Sequence, residues 1–280
     1  MAPDRIERLG NSLIQHGKSN DRVYLMKLKD ADVPSVIEGI EALAEENAYS
    51  KIFAKIPVRV SEDFLEAAYE IEASVPNFFG GREDGLFIGK YLAEWRREDE
   101  AEALAERVLQ ASFGKAGDGG GCRPLPGNSE LREMNVADTP AMAAFYSEVF
   151  DTYPFPIFDP AYLKETMASH IRYFGVLSGN AIRALASSET DASQKHVEMT
   201  DFATRPPERG KGLAATLLWH MENAMSAEGF ATAYTIARAE SFGMNIAFAK
   251  CGYTFGGRLT NNTNIGGRLE SMNVWFKPLV

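Results

Sequence analysis

A short glycine-containing stretch at residues 207–218, PERGKGLAATLL, is the clearest candidate for chemistry in this 280-residue sequence. A strand-like run precedes it and an amphipathic helical pattern follows, so the unpaired N–H groups of the first helical turn would face one concave surface. Gly210 and Gly212 lack the Cβ atoms that would keep a pyrophosphate away, and Arg209 and Lys211 would add positive charge at its rim. The stretch predicts a phosphate-binding loop, although an ordinary turn before a helix would read the same way.

Two common nucleotide-binding motifs are absent from this region. Ala215 stands where a G-x-G-x-x-G motif would place its third glycine, and no G-x-x-x-x-G-K-[ST] pattern occurs. The loop therefore predicts a pyrophosphate site of another kind.

The elements that would position this loop alternate between strand and helix. In the second half of the chain, helical patterns are predicted at 139–150, directly after the loop and near 241–251. Strands are predicted there at 171–177, 181–187, 195–204, 232–238, 253–259 and 268–277, with an aromatic-proline loop at 151–160. In the first half, strands are predicted at 22–28, 50–55, 69–74 and 86–92, and helices at 33–47 and 94–109.

A Gly- and Pro-rich segment without periodicity, at 114–127, predicts a linker and a domain boundary. We expect an N-terminal α/β domain at 1–113 and a C-terminal domain with the glycine loop at 128–280. A short repeat relates them, because FLEAAY at 64–69 matches FAKCGY at 248–253 in register. Each copy precedes a Gly-rich turn and a strand, so we interpret the first domain as a degenerate half-copy that has no glycine loop and should not bind the cofactor.

Composition narrows the class of partner. The formal charge of −10 argues against nucleic-acid binding and permits a cationic small substrate. No signal peptide or apolar membrane span is recognisable, and two distant cysteines, Cys122 and Cys251, suit a reduced, cytoplasmic setting. His16 and His196 have no companion ligands, so no metal is expected.

Around the loop, the chain resembles the GNAT (Gcn5-related) acetyltransferases, whose acetyl-CoA loop reads [QR]-x-x-G-x-[GA]. The likeness covers roughly 130–280 and implies an α/β (α+β) fold with a central mixed twisted sheet flanked by helices. Pro207 occupies the [QR] position, so Arg205 or Arg209 would substitute near the phosphates. Phe248 stands where many members carry a tyrosine general acid, so the group that protonates the thiolate is not identified.

The resemblance implies acetyl-CoA as co-substrate and a set of residues that bind it. These are Phe202, Ala203, Thr204, Arg209, Gly210, Lys211, Gly212, Leu213, Ala214, Asn245 and Phe248. The backbone of 202–204 would pair with the pantetheine arm as an added strand.

The whole chain is similar to the β-lysine acetyltransferases. The likeness is carried by GNSLIQHGKSNDRVYLMKL, YSKIFAKIP, TYPFPIFDP, VEMTDFATRPPERGKG, TAYTIARAESFGMNIAFAKCGY, LTNNTN and ESMNVWFKPL. It implies direct transfer of an acetyl group to the ε-amine of β-lysine in a ternary complex, giving an osmolyte, with lysine 2,3-aminomutase as the pathway neighbour. Three other acceptors stay open, namely a polyamine, α-lysine and a protein lysine. A non-catalytic acyl-CoA-binding sensor is an alternative function, and the protein could form a homodimer.

Amine acetylation requires a neutral amine, which costs about 4–5 kcal/mol at pH 7 for a group of pKa about 10.4. Glu198, on the strand before the loop, is the candidate base, with a salt-bridge role as the alternative. Asp201 lies at odd spacing on this strand and is expected on the opposite face, in a structural role or behind the substrate site. The other candidate substrate residues are Tyr153 in the aromatic loop, Arg238 for the carboxylate, and Asn262, whose segment also suits a turn.

Overall fold

The computed structural model describes residues 4–117, 125 and 127–279. Its strands are β1 Arg5–Leu9, β2 Ser12–Gly17, β3 Arg22–Lys27, β4 Lys51–Pro57, β5 Glu70–Phe79, β6 Glu83–Tyr91, β7 Ser129–Glu133, β8 Ile171–Ser178, β9 Ala181–Asp191, β10 His196–Thr204, β11 Thr232–Arg238, β12 Thr254–Ile265 and β13 Arg268–Pro278. Its α-helices are α1 Ser35–Glu46, α2 Ser61–Glu66, α3 Glu102–Phe113, α4 Thr139–Val149, α5 Pro160–Met167, α6 Leu213–Ala227 and α7 Phe242–Lys250. No helix in these described ranges is long and apolar enough to cross a membrane.

One mixed sheet of thirteen described strands runs through the molecule, in the order β1-β2-β3-β4-β6-β5-β12-β13-β11-β10-β9-β8-β7. We call residues 5–91 the N-terminal half and residues 129–278 the C-terminal half. In the N-terminal half, α1 connects the parallel strands β3 and β4, and α2 then leads to the β5–β6 hairpin. In the C-terminal half, α6 connects the parallel strands β10 and β11, and α7 leads to the β12–β13 hairpin. From the first strand of the parallel pair onwards, the connectivity of the two halves is therefore the same.

The predicted repeat is also visible in side-chain packing. The rings of Phe64 and Tyr69 lie edge to face with centroids 5.3 Å apart, and those of Phe248 and Tyr253 do the same at 5.1 Å. In both cases the tyrosine N–H donates to the phenylalanine carbonyl, at 3.0 and 3.1 Å. The matching letters therefore form the same helix-ending turn twice.

An ion pair extends this repeat from the last strand of each half to its crossover helix. Lys90 on β6 pairs with Glu41 on α1 at 2.8 Å, and Lys277 on β13 pairs with Glu222 on α6 at 2.7 Å. Each ammonium also lies over the ring of the repeated tyrosine, 5.5 and 5.8 Å from the centroid. The interpretation of the first half as a degenerate copy is thus supported by side-chain contacts as well as by strand order.

The hydrophobic core is layered because strand residues alternate between faces. On β3, Val23 and Leu25 pack towards α1, whereas Tyr24 faces inward. The inner layer joins aromatic and aliphatic side chains of both halves, so the two half-sheets pack face to face. Helices α3, α6 and α7 cover the outside of the C-terminal half, and α4 and α5 cover part of its inner face.

The two halves of the sheet meet at one close backbone contact. Gly257 on β12 is opposite Ala73 on β5, and a Cβ on this glycine would lie 2.2 Å from the Glu72 carbonyl oxygen. Its φ of +145° is a conformation that side chains rarely adopt. Glycine is therefore required where the strands join.

Some predicted elements differ from the structure. The helix expected at 94–109 is a 3₁₀ turn at Glu94–Arg96 followed by α3, because the Arg96 side chain is fully buried and Asp99 accepts a hydrogen bond from the Ala101 N–H. Helix α3, although placed in the first predicted domain, packs against α7 of the C-terminal half. The hairpin β1–β2, the strand β7 and the helix α2 were not predicted.

Most of the predicted linker at 114–127, including Cys122, lies outside the described residues, so the boundary at this segment stays a prediction. Cys251 is buried beside α7.

Candidate active site

The predicted glycine loop connects β10 to α6. A 3₁₀ turn at Pro206–Glu208 follows the strand. Gly210 and Gly212 have φ angles of +78° and +82°, in the left-handed region that favours glycine. A Cβ on Gly210 would have no protein atom within 4 Å, so the space in front of it is open. The loop fits a pyrophosphate, because this open space lies beside the unpaired N–H groups of the first turn of α6.

Two arginines were expected to substitute for the side chain that Pro207 lacks. Arg205 is turned towards α4, where it pairs with Glu148 at 2.8 Å. Arg209 is exposed on the loop, and its Nε donates to the Thr204 carbonyl at 3.2 Å. Arg209 is therefore the better placed of the two for a phosphate.

A cleft opens between β10 and β11 beyond the first residues of each strand. The strands pair only over His196–Glu198 and Thr232–Tyr234, and then separate around a cavity of about 120 Å³. Phe202 and Phe248 line this cavity, with ring centroids 5.6 Å apart and planes nearly perpendicular. The backbone of 202–204 has no strand partner on its β11 side, so an extended ligand could bind there as an added strand. We call this cavity the donor cleft.

The odd spacing of Asp201 predicted that its side chain would face away from Glu198. This prediction was wrong, because both side chains line the same cavity. The pairing of β10 with β9 shifts between Thr200 and Ala203, and Asp201 has a φ of +54°. This β-bulge inserts one extra residue and reverses the alternation of side chains that follows it. Glu198, Thr200 and Asp201 therefore line one cavity together.

That cavity, of about 290 Å³, lies between the two halves, and we call it the acceptor cavity. The C-terminal half contributes the carboxylates Glu165, Glu189, Glu198 and Asp201. The N-terminal half contributes polar and aromatic side chains, namely Gln15, Arg22, Tyr24 and Phe53. The acceptor cavity shares lining residues with the donor cleft, namely Tyr153, Thr200, Asp201, Ile236, Ile265 and Met272. The two cavities therefore meet beside Asp201.

Glu198 has the electrostatics expected of a base at neutral pH. Burial in the cavity raises the pKa of Glu198 to about 7, and the positive charge of Lys55 opposes that rise. The Tyr234 hydroxyl donates to Glu198 Oε2 at 2.9 Å and accepts from Lys55 Nζ at 2.9 Å. A residue of the N-terminal half thus acts on the candidate base through one tyrosine.

Asp201 is held by two hydroxyl groups at the junction of the cavities. Tyr153 donates to its Oδ1, and Ser187 Oγ donates to Oδ2 at 2.5 Å. Burial raises the pKa of Asp201, and it raises that of the Tyr153 hydroxyl well above its usual value. Tyr153 therefore keeps its proton at a position that faces both cavities.

Two predicted ligand-binding side chains have other partners. Arg238 forms two hydrogen bonds of 2.7 Å with the buried Glu270, which neutralises its charge at the edge of the donor cleft. Asn245 is fully buried, and its amide bonds the carbonyls of Arg238 and Ser241 and accepts from Asn273 and Trp275 at 2.8–2.9 Å. We therefore expect the Asn245 amide to support α7, without contacting the cofactor.

The remaining predicted residues lie in the core, at the glycine loop and the start of α6, or in the acceptor cavity. Ala203 and Leu213 are buried, so only their backbone groups are available to a ligand. Lys211 is exposed on the loop and paired with Glu208 at 2.9 Å, while Ala214 lies in the first turn of α6. Asn262 lines the acceptor cavity.

The sequence prediction missed the residues that the N-terminal half brings to the site. Arg22, Tyr24 and Met26 alternate along β3 and all line the acceptor cavity. This alternation indicates that one face of β3 carries polar and aromatic side chains and does not pack only in an aliphatic core. Nothing local to the strand indicates what that face packs against.

Within the described residues, no group of three or more His, Cys, Asp and Glu side chains could hold a metal ion.

Known proteins resemble this chain over most of its length. The acetyltransferase (GNAT) family matches residues 136–253. A β-lysine N6-acetyltransferase from Methanococcus maripaludis is 37% identical over 274 residues, covering 98% of each chain. The N-acetyltransferase YodP of Bacillus subtilis is 29% identical over 96% of each chain.

A second β-lysine N6-acetyltransferase, from Methanosarcina mazei, is 43% identical over 155 residues, covering 55% of this chain and 57% of the relative. GNAT acetyltransferases use acetyl-CoA, and the glycine loop and donor cleft fit that co-substrate. The chain is therefore an acetyl-CoA-dependent acyltransferase that belongs to the GNAT acetyltransferases, in the family of these β-lysine N6-acetyltransferases.

Proposed function

We propose that the chain acetylates a small diamino acid, most specifically the ε-amine of L-β-lysine, by direct transfer in a ternary complex. The product would be the compatible solute Nε-acetyl-β-lysine, with a lysine 2,3-aminomutase supplying the substrate. The names of two relatives support this acceptor. The observation that carries the proposal is the Glu198 carboxylate, which is held in a cavity continuous with the donor cleft.

Acetyl-CoA, when bound, supplies the acetyl group as a thioester. The open space at Gly210 and the N–H groups of α6 would hold its pyrophosphate, with Arg209 nearby. Phe202, Phe248 and the unpaired side of β10 would hold the pantetheine arm. These contacts would keep the donor beside the acceptor cavity, and such proximity supplies much of the rate in a direct transfer.

Glu198 would take the proton that the substrate ammonium must lose. A carboxylate with a pKa of about 7 is ionised in a large fraction at neutral pH and is a stronger base than an ordinary glutamate. Its Oε2 is fixed by the Tyr234 hydroxyl at 2.9 Å, so the carboxylate has a defined orientation in the cavity. The neighbouring Glu189 and Asp201 add negative charge that favours a cationic substrate.

Tyr153 would supply the proton that the departing sulfur needs. It lines both cavities, and its hydroxyl carries a proton at neutral pH, as an ordinary tyrosine hydroxyl does. Phe248, at the position where many GNAT members carry a tyrosine acid, has no proton to give. The Tyr153 hydroxyl therefore fills a role that the sequence left without a candidate.

The test is a panel of acceptors offered with acetyl-CoA, namely β-lysine, α-lysine, spermidine and a lysine peptide, with CoA release as the readout. We expect the highest kcat/KM for β-lysine, and mass spectrometry with fragmentation should place the acetyl group on the ε-nitrogen. Preference for another amine would overturn the acceptor assignment. Tight acetyl-CoA binding without turnover of any amine would instead identify a sensor.

A further inference from the structure

We infer that Arg22 and Asn262 form a subsite for the carboxylate and the neighbouring amine of a 3-amino acid, at a place in the acceptor cavity distinct from the Glu198 group. The inference rests on the proposed function, because it concerns how the same cavity selects its acceptor. It assigns substrate recognition to Arg22, a residue of the N-terminal half.

Arg22 is 6% exposed and lines the acceptor cavity. Its Nη1 donates to the Asn262 carbonyl and lies 3.4 Å from Thr263 Oγ1, both on β12. The rings of Tyr24 and Phe53 lie 5.2 and 5.6 Å from its guanidinium carbon. These contacts fix the plane of the guanidinium, while its Nε is buried and has no hydrogen-bond partner.

The charge of Arg22 is also without a partner. Two other buried cations in the N-terminal half are matched by carboxylates, since Lys51 pairs with Glu72 at 2.8 Å and Arg96 lies 3.8 Å from Asp21. Among the described residues, Arg22 has no carboxylate within 4.0 Å. Burial lowers the pKa of Arg22 only to about 10, so it remains a cation at neutral pH. A buried guanidinium without a carboxylate partner is costly, and a ligand carboxylate would offset that cost.

Asn262 provides the complementary acceptor. Its side chain is 1% exposed, lines the same cavity, and has an Oδ1 atom without a hydrogen-bond donor. Because Arg22 bonds the main chain of this residue, the unpaired donor and the unpaired acceptor belong to neighbouring groups. A carboxylate and an ammonium two carbons apart in one molecule would satisfy both.

The rest of the cavity indicates the orientation and charge of that molecule. Glu189, Glu198 and Asp201 form the acidic group, and they would repel a ligand that carried only negative charge. A diamino acid places its carboxylate at Arg22 and its distal amine at Glu198. Phe53 and Tyr153 line the cavity with these polar groups and suit an aliphatic stem.

The experiment uses three acceptors that differ by one group. 6-Aminohexanoate is β-lysine without its β-amine, and 1,4-diaminopentane is β-lysine without its carboxylate. We expect the wild-type enzyme to prefer β-lysine to either analogue by about 100-fold in kcat/KM, because each omission leaves a buried polar group unpaired. Equal kcat/KM for β-lysine and 1,4-diaminopentane would overturn the carboxylate subsite and leave the acetyltransferase activity standing.

Two variants assign the groups. Arg22→Met should lower kcat/KM for β-lysine and 6-aminohexanoate by about 100-fold and change that for 1,4-diaminopentane by less than about 3-fold. Asn262→Leu should remove the preference for β-lysine over 6-aminohexanoate. Arg22→Lys should recover part of the loss, since it keeps the charge without the planar fork. An equal loss on all three acceptors from Arg22→Met would mean that Arg22 has only a structural role.

Arg238→Met separates this subsite from the earlier assignment of the carboxylate to Arg238. If Arg238→Met, and not Arg22→Met, abolishes the discrimination between β-lysine and 1,4-diaminopentane, the inference is wrong. Folding of each variant is checked by thermal unfolding and by the Kd for acetyl-CoA.

Binding without turnover distinguishes failure of the subsite from failure of the proposed function. Calorimetry with 6-aminohexanoate and CoA should show binding to the wild-type protein and at least about 30-fold weaker binding to Arg22→Met. If the wild type acetylates no amine yet shows this difference, the proposed function fails and the subsite stands. If 6-aminohexanoate binds both proteins equally, the subsite is overturned whatever the activity.

Discussion

The loops that follow the first strand of the parallel pair differ sharply between the two halves. In the C-terminal half, residues 205–212 carry three basic residues and two glycines with positive φ. In the N-terminal half, the corresponding segment at 28–34 carries Asp30 and Asp32, and ends in Pro34. The Asp32 carboxylate itself accepts the Asn11 N–H and the Ser12 hydroxyl, at 2.9 and 2.6 Å. The Asp32 carboxylate thus occupies the N-terminal loop, whereas the C-terminal loop has open space at Gly210 and the exposed Arg209 for a ligand anion.

The first strands of the two parallel pairs, β3 and β10, also differ in the length that continues beyond the pairing. Strand β10 continues through residues 199–204 after its last pair with β11, whereas β3 continues only through 26 and 27 after its last pair with β4. The longer unpaired segment of β10 borders the donor cleft of the C-terminal half. Under the proposed function, the N-terminal copy supplies the inner face of β3 and β4 as a wall of the acceptor cavity. Chemistry and recognition would then be divided between two copies of one fold.

The largest expected effect breaks the chemistry in the C-terminal half. Glu198→Gln should lower kcat by about 10³-fold at pH 7, because a general base contributes that order of rate. In the wild type, kcat/KM should rise with pH and level off above about 7, where Glu198 is ionised, and the variant should lack this inflection and recover partly at high pH. Glu222→Gln is the matched control, since Glu222 is also buried with a raised pKa but lies outside both cavities. An unchanged pH–rate profile in Glu198→Gln would exclude Glu198 as the base.

The next largest effect is expected when the open space at Gly210, which the N-terminal loop lacks, is filled by a side chain. Gly210→Val should raise the KM for acetyl-CoA by about 30-fold, because its side chain would fill the space assigned to the pyrophosphate and cost charge-assisted hydrogen bonds. Gly229→Val is the control, because Gly229 lies at the other end of α6 with a φ of +83° and similarly open space. Steady-state kinetics with varied acetyl-CoA measures both. An equal rise in both variants would point to backbone strain and away from a phosphate site.

A smaller effect is expected from Lys55, a residue of the N-terminal half that acts on Glu198 in the C-terminal half. Lys55→Met should move the ascending limb of the pH–rate profile up by about one pH unit, because the Lys55 charge holds down the pKa of Glu198. At pH 7 the activity would fall by about 5-fold, because the ionised fraction of Glu198 would drop from about one half to about one eleventh, and it would recover at pH 9. Lys27→Met serves as the control, since Lys27 pairs with Asp191 at 2.9 Å. A uniform loss at every pH would show that Lys55 does not act on the base.

The smallest expected effect is on stability, and it concerns the ion pair that is repeated in the two halves. Lys277→Met should destabilise the protein by about 2 kcal/mol and Lys90→Met by less than about 1 kcal/mol, as measured by urea unfolding. The difference follows from burial, because the side chain of Glu222 is 8% exposed and that of Glu41 is 33% exposed. Equal losses would mean that burial of the carboxylate does not decide the strength of this contact.

The local features of this fold could be predicted from the sequence, and the features that depend on packing could not. The order of β10, loop and α6 follows from a hydrophobic pattern next to two glycines, so its signal lies within a few residues. The repeat was found because Phe64 and Tyr69 stand at the spacing of Phe248 and Tyr253, which one helix end imposes on both pairs. Each of these signals comes from a single turn of chain.

The missed features involve partners far along the sequence. The face of Asp201 depends on a bulge against β9, which no residue spacing within β10 indicates. Arg238 is neutralised by Glu270 because β11 pairs with β13, and 32 residues separate the two in the chain. Arg22 reaches β12 only because the half-sheets pack together, so its place in the cavity required the complete fold.

The pairing of β5 with β12 has a consequence for association between molecules. A sheet edge exposes unpaired N–H and C=O groups that can recruit a strand from another chain. By meeting at Ala73 and Gly257, β5 and β12 cover part of one such edge in each half, and in the described residues only β1 and β7 lie at the ends of the strand order. These two strands have five residues each, and their sequences, RIERL and SELRE, carry alternating charges. Short, charged borders of this kind resist edge-to-edge aggregation, which protects a long sheet at high protein concentration.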